Sequence, residues 1–212
     1  MIETNARNFK FIGGWLSLDF ANTLGCREGE HPHERLHSYS DLISWSQQAD
    51  LLTHNEAQNL LHEAKLRPKE AKAIFKRGII LREAIYRIFS AIASHTSPNG
   101  VDLDILNTEL SEAMARVRII PTTDGYALTY PEKRGALDRA LWPIARSATD
   151  LLTSGKLTRI RKCAAKGCAW LFLDMSRNRS RRWCDMKDCG NRIKARRHYE
   201  RKRASFVKPK TN

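Results

Sequence analysis

Four of the five cysteines in this 212-residue chain fall between positions 163 and 189, in the pattern C-x4-C-x15-C-x4-C. Cys163 and Cys168 make one close pair and Cys184 and Cys189 another, with enough chain between them for a hairpin. Residues 1–10 lack the apolar core of a signal peptide, and the longest apolar run, Ala169 to Leu173, falls far short of a membrane span. These features predict a cytoplasmic protein, where thiols stay reduced and clustered cysteines serve as metal ligands before disulfides. Zinc, one structural ion, is the first choice: it accepts four sulfur ligands without redox chemistry, and four protein ligands leave no position for a catalytic water. An iron–sulfur cluster and a chance grouping of buried thiols are the alternatives.

The residues around the cysteines suggest how the site is built. Asp185 and Asp188 suit the N-cap and third position of a helix starting near Met186, which puts Cys184 just before the helix and Cys189 in its first turn. Cys163-Ala-Ala-Lys-Gly-Cys168 reads as a knuckle, and Trp170 to Leu173 is expected to pair with Ser180 to Trp183 as the intervening hairpin. Knuckle, hairpin and ligand-bearing helix together predict a treble-clef finger.

Charge is distributed as unevenly as cysteine. Of 37 Lys and Arg against 23 Asp and Glu, residues 156–212 hold 19 basic and four acidic, so this quarter carries +15 and residues 1–155 carry −1. Zinc on four thiolates is −2, which leaves the module at +13. A compact, Arg-rich field of this kind points to a polyphosphate partner, with an anionic membrane surface second. Two blocks carry it. Arg177, Arg179, Arg181 and Arg182 occupy the expected hairpin loop, and Arg192, Lys194, Arg196, Arg197, Arg201, Lys202 and Arg203 lie on the helix. Arginine binds phosphate and guanine bidentately, so Arg177, Arg179, Arg181, Arg182, Arg192, Arg196, Arg197 and Arg201 are the candidate nucleic-acid contacts. His198 and Tyr199 can stack on a base or pack back on the finger.

Residues 1–155 read as mainly helical. Ser38 or Ser40 caps a helix through Gln48, Thr53 and Glu56 form a capping box for a helix to about Lys65, and Pro68 opens a long helix to about Ser94. Its Ile74, Gly78, Leu81, Ile85, Ile88 and Ile92 step by four and three, as a core stripe does or, over more heptads, a dimer seam. Asp102 or Asp104 starts the next helix, to Arg116; two β-prone runs, 117–120 and 126–130, flank Asp124-Gly125 as a hairpin. A last helix from about Gly135 to Ser154 is expected to kink at Pro143 and stop at Gly155. Gly13 to Leu24 supports either strand or helix, with helix preferred. The near-neutral charge and apolar stripes predict that residues 1–155 fold alone, and Lys208-Pro-Lys210 is expected to fray. The overall expectation is an α+β, mainly α chain: a helical N-terminal domain with a small β-hairpin, residues 1–155, followed by the finger, residues 156–212.

Cys189-Gly-Asn-Arg192, with Cys163, Cys168, Cys184 and the run Ser176 to Cys184, resembles the bacterial CGNR zinc-finger family. Gly13-Gly14 and Leu18-Asp-Phe-Ala-Asn-Thr23 resemble the ABATE domain that precedes that finger. The resemblance implies a stress-induced transcription regulator with a DNA-binding treble-clef finger and an N-terminal domain that binds a ligand. By position it makes Cys163, Cys168, Cys184 and Cys189 the metal ligands. Asp19 and Asn22 become candidates either for the polar floor of a small-molecule site or for capping and buried hydrogen bonds. Asn191 and Arg192 either support the knuckle or touch DNA. Cys26 reads as an ordinary half-buried thiol.

The function expected is therefore a DNA-binding transcription regulator, stress- or ligand-responsive, and not an enzyme. Its expected partners are duplex DNA first, with a small-molecule ligand and a homodimer as candidates and no membrane. An RNA-binding or ribosome-associated basic zinc module is the alternative that the same charge serves. A metal-dependent nuclease would have to use His198 with Asp174, Asp185, Asp188 and Glu200.

Overall fold

The computed structural model describes residues 8–130 and 135–206, with side chains described through Arg203; Lys208 to Lys210 lie outside this range. In chain order the elements are α1 (Leu16–Ala21), β1 (Leu24–Gly25), β2 (His33–Glu34), α2 (Tyr39–Gln48), α3 (His54–Leu66), α4 (Pro68–Ala93) and α5 (Gly100–Arg116). There follow β3 (Arg118–Thr122), β4 (Gly125–Thr129), α6 (Leu141–Thr153), β5 (Ile160–Lys162), β6 (Leu171–Leu173) and α7 (Asn191–Phe206). The strands form three separate antiparallel pairs, β1 with β2, β3 with β4 and β5 with β6. No described helix is long and apolar enough to cross a membrane.

Local chemistry sets most helix boundaries. Ser38 accepts from the Asp41 amide at the start of α2, Thr53 and Glu56 close the capping box of α3, and Pro68 begins α4. Helix α5 begins two residues earlier than the aspartates suggest, because Asn99 caps it by accepting from the Val101 amide. The expected kink at Pro143 is absent. A 3₁₀ turn, Leu137–Ala140, leads into α6, so Pro143 falls in the first turn, where an amide has no intrahelical bond to lose. Gly155 ends the helix at φ 69°.

The stripe of α4 is core. Ile74, Gly78, Leu81, Ile85, Ile88 and Phe89 are buried, and α1, α2, α5 and α6 pack around that helix with Trp45 buried among them. The same core takes in Ile160, Leu171 and Leu173 of β5 and β6. The finger therefore inserts its hairpin into the helical body, and the expectation that residues 1–155 fold as an isolated unit gives way to a shared core.

That hairpin corrects a second expectation. Leu171 to Leu173 pair with Ile160 to Lys162, in the register Lys162↔Leu171, Arg161↔Phe172, Ile160↔Leu173, rather than with Ser180 to Trp183. The strands flank the first cysteine pair, and 180–183 stay irregular, joined to the knuckle by the Ala164 amide donating to the Arg182 carbonyl. Burial of Leu171 and Leu173 beside α4 and α1 decides which partner wins.

Candidate metal centre and basic surface

The knuckle and the start of the last helix bring the four thiols together. The Sγ atoms of Cys163, Cys168, Cys184 and Cys189 lie within 4.8 Å of one another and all four residues are buried. Cys184 stands 3.7 Å from Cys168 and 3.7 Å from Cys189. A tetrahedron with Zn–S bonds of about 2.3 Å has edges of about 3.8 Å, so the donor set fits zinc in both chemistry and size. The four thiols form a closed site for one structural zinc.

The chain around the sulfurs supports that charge. Asp185 caps the last helix by accepting from the Lys187 amide at 2.8 Å, and the first turn, Met186–Gly190, is widened so that the Gly190 amide donates to the Asp185 carbonyl at 3.0 Å. Cys189 is thereby turned inward. The Cys184 amide donates to Cys163 Sγ, and the Arg192 guanidinium donates to Cys189 Sγ, each at 3.4 Å. Such donors orient ligands and offset thiolate charge. Asn191 donates its side-chain amide to the Lys187 carbonyl at 3.2 Å. Both residues of the Asn-Arg pair thus have partners inside the zinc turn. Cys26 is half-buried and lines a cavity of about 120 Å³ together with Cys168, Cys184 and Cys189.

Asp19 and Asn22 lie in buried hydrogen bonds with the chain itself. The outer edge of β6 is closed by Asn22 and by Gly13. Asn22 donates to the Leu171 carbonyl at 2.8 Å and accepts from its amide at 2.9 Å, and the Leu173 amide donates to the Gly13 carbonyl at 2.8 Å. Asp19 in turn accepts from the Gly13 amide at 2.7 Å. Burial pushes the Asp19 carboxyl up to about 6, against the hydrogen bonds from Gly13 and Ile12. A Cβ at Gly13 would stand 3.0 Å from both Asp19 Oδ1 and Leu18 Cβ, and Gly14 sits at φ 72°. The Gly-Gly, Asp and Asn positions form one clasp between the first helix and the finger. Both residues take part in a buried network, Asn22 with both ends of its amide engaged and Asp19 through the Gly13 amide.

A second brace approaches from α4. Arg82, 2% exposed, donates to both oxygens of Glu34 at 2.6 and 2.8 Å and to Glu83, while Arg27 holds Glu83 at 2.6 and 3.1 Å. Burial would raise Glu34, and Arg82 reverses this and holds it below the usual carboxylate range. The turn containing Cys26 and Gly29, fixed by these pairs, presses on the knuckle at Gly167.

The basic residues divide into two kinds. Arg181 faces inward: its guanidinium stacks on Phe172 at 4.4 Å and donates to the carbonyls of Trp183, Cys184 and Ile12. Its proposed place among phosphate contacts is therefore corrected to a strut of the finger. Arg177, Arg179 and Arg182 are exposed on a loop organised by the buried Asp174, which the sequence offered only as a candidate nuclease carboxylate. Burial opposes its charge, yet the Ser176 hydroxyl and the amides of Ser176 and Arg181 hold its carboxyl below the ordinary value. The Asp-Met-Ser triplet at 174–176 is the sequence signal for that turn. Arg192, Arg196, Arg197 and Arg201 are exposed along α7, with Arg196 bonded to Glu200 at 2.8 Å and Arg201 to the Arg197 carbonyl.

A helical body clasped to a closed four-cysteine zinc site defines the class, a zinc-finger protein with a helical N-terminal domain. The family described as ABATE, "Putative stress-induced transcription regulator", matches residues 14–155, and the CGNR zinc finger matches residues 159–202. The chain belongs to the ABATE family and carries a CGNR zinc finger after that domain. No curated protein matches the chain.

Proposed function

We propose that this protein is a DNA-binding transcription regulator, with a treble-clef-like finger that presents its basic helix and loop to duplex DNA. It acts by binding and has no catalytic role. The observation that carries the reading is α7. This helix is 16 residues long, about 24 Å at 1.5 Å per residue, and from Asn191 to Arg203 only Ile193 is even half-buried. Seven of those thirteen residues are basic and one is acidic. A helix that is polar on every side and packs on almost nothing gains little from the fold and much from an anionic partner, and its width suits a major groove. Zinc supports the reading by fixing the root of α7 beside the exposed loop arginines, Arg177, Arg179 and Arg182.

The test uses the full-length, zinc-loaded protein with labelled random duplex DNA across a salt series. With on the order of 4–6 phosphate contacts, log affinity should fall linearly with log salt at a slope of roughly −4 to −5. Replacing Arg196, Arg197 and Arg201 by Ala should flatten that slope by about 2–3 units. Unchanged affinity and slope in the triple variant, or displacement of DNA by structured RNA at equal concentration, would overturn the proposal.

A further inference from the structure

The fifth cysteine of the chain is remote from the other four in sequence and beside three of them in space. Cys26 follows β1 in a turn that is held against the finger on both sides. Before it, the Leu24 carbonyl accepts from the Trp170 indole at 3.2 Å. After it, Gly29 stands so close to Gly167, the residue preceding Cys168, that a Cβ on Gly167 would lie 3.3 Å from the Gly29 Cα. Cys26 itself is held at φ 51°, in the left-handed region that side chains rarely adopt, and its carbonyl accepts from the Gly29 amide at 2.9 Å. It is half-buried and lines the cavity of about 120 Å³ together with Cys168, Cys184 and Cys189. A space of that size admits several water-sized molecules. The cavity thus brings one thiol outside the four-sulfur set face to face with three inside it.

We propose that Cys26 is a site of peroxide oxidation that unlocks the zinc centre. Hydrogen peroxide is the oxidant, small enough for the cavity and uncharged. In the first step the Cys26 sulfur attacks one peroxide oxygen, the O–O bond breaks, and the other oxygen leaves with the thiol proton as water, so that Cys26 becomes a sulfenic acid. Lys10, His33 and Arg35 line the same cavity and place N–H groups around the departing oxygen. In the second step the Cys168 thiolate attacks the Cys26 sulfur. The S–S bond forms, the S–O bond breaks, and the hydroxide takes a proton from solvent. Two thiols have then lost two electrons to one peroxide, giving a disulfide and two waters. Cys168 is the assigned partner because its neighbour Gly167 is the knuckle residue that touches the Cys26 turn. A sulfur in a disulfide is no longer a thiolate donor, and a site built for four loses its hold on the ion. Cys26 reacts first because the other four thiols are buried and committed to the metal, with Cys163 and Cys189 also accepting hydrogen bonds from the Cys184 amide and Arg192. The inference does not depend on what the finger binds.

The full-length, zinc-loaded protein treated with a small excess of hydrogen peroxide tests it, with a colorimetric chelator reporting free zinc and peptide mapping locating disulfides. The wild type should release its zinc in step with formation of a Cys26–Cys168 disulfide, and a thiol reductant with added zinc should reverse both. Cys26→Ser should carry the same zinc before treatment and release it about tenfold more slowly. If that variant fails to load zinc, the map of the wild type decides alone. Equal release from the two proteins, a disulfide among the four zinc cysteines, or Cys26 oxidised to sulfinic acid with zinc retained would overturn the proposal. So would a wild type that keeps its zinc and all five thiols. Cys26 joined to Cys184 or Cys189 would overturn the assignment of Cys168.

Discussion

Asn22 has both ends of its side-chain amide engaged with the backbone of one residue, Leu171, at 2% exposure. Removing it leaves a buried amide and a buried carbonyl without partners, so Asn22→Ala should cost about 2–4 kcal/mol, read as a lower denaturant midpoint at unchanged slope. A loss under half a kcal/mol would mean that the clasp closes without it. Asp19 responds to pH in the opposite sense from a salt-bridged carboxylate. Because burial raises its folded value to about 6, the folded protein between about pH 4 and 6 retains a proton that the unfolded chain has released. Its contribution to stability is therefore complete below about pH 4 and lost as the pH rises through 6. Asp19→Asn keeps the Oδ1 acceptor for Gly13 and removes the buried charge. It should raise stability at pH 7.5 by up to about 3 kcal/mol, with the gap to wild type closing by pH 4. A gap that is constant with pH, measured by paired thermal melts, would refute this.

At the level of elements, α7 and the β5–β6 hairpin are opposites. The hairpin is short but sits in the core, whereas α7 is long and gains almost no tertiary burial, and most helical stability in proteins comes from such packing. Amides from about Lys194 onward should thus exchange with deuterium within seconds in the unbound protein and become protected when duplex DNA is added. Protection equal to that of α4 in the unbound state would contradict this. The contrast also explains what the sequence could disclose. The caps at Ser38 and Thr53 and the apolar stripe of α4 are local signals, written within one or two turns, and the structure reproduces them. The four-thiol site was equally legible, because ligand spacing is itself the code. What escaped were pairings fixed by distant partners: β6 chose β5 because Leu171 and Leu173 are buried beside α1 and α4, and no spacing within 160–183 records that. Arg181, one of seven arginines between 177 and 197, could be told from its neighbours only by the ring of Phe172 beneath it.

For the molecule as a whole, the shared core makes zinc a determinant of more than the finger. Ile160, Leu171 and Leu173 are almost fully buried, and at ~1.5–3 kcal/mol each their removal takes away roughly 5–9 kcal/mol, a magnitude comparable with the entire stability of a typical domain. A 1–155 fragment should accordingly be molten, binding a hydrophobic dye and melting without cooperativity. The zinc-loaded full chain should melt in one transition that chelator, or Cys184→Ser, moves downward as a unit. A fragment that melts as sharply as the intact protein would show that the junction is dispensable. The clasp also has a direction in time. Asn22 and Leu171 are 149 residues apart, so on a growing chain α1 leaves the ribosome long before its partner strand is made. Until then Gly13 and Asn22 have nothing to hold, and the nascent helical body waits with an open seam. Its closure follows release of the finger from the ribosome, so a truncated product of stalled translation would be left unsealed and exposed to proteases.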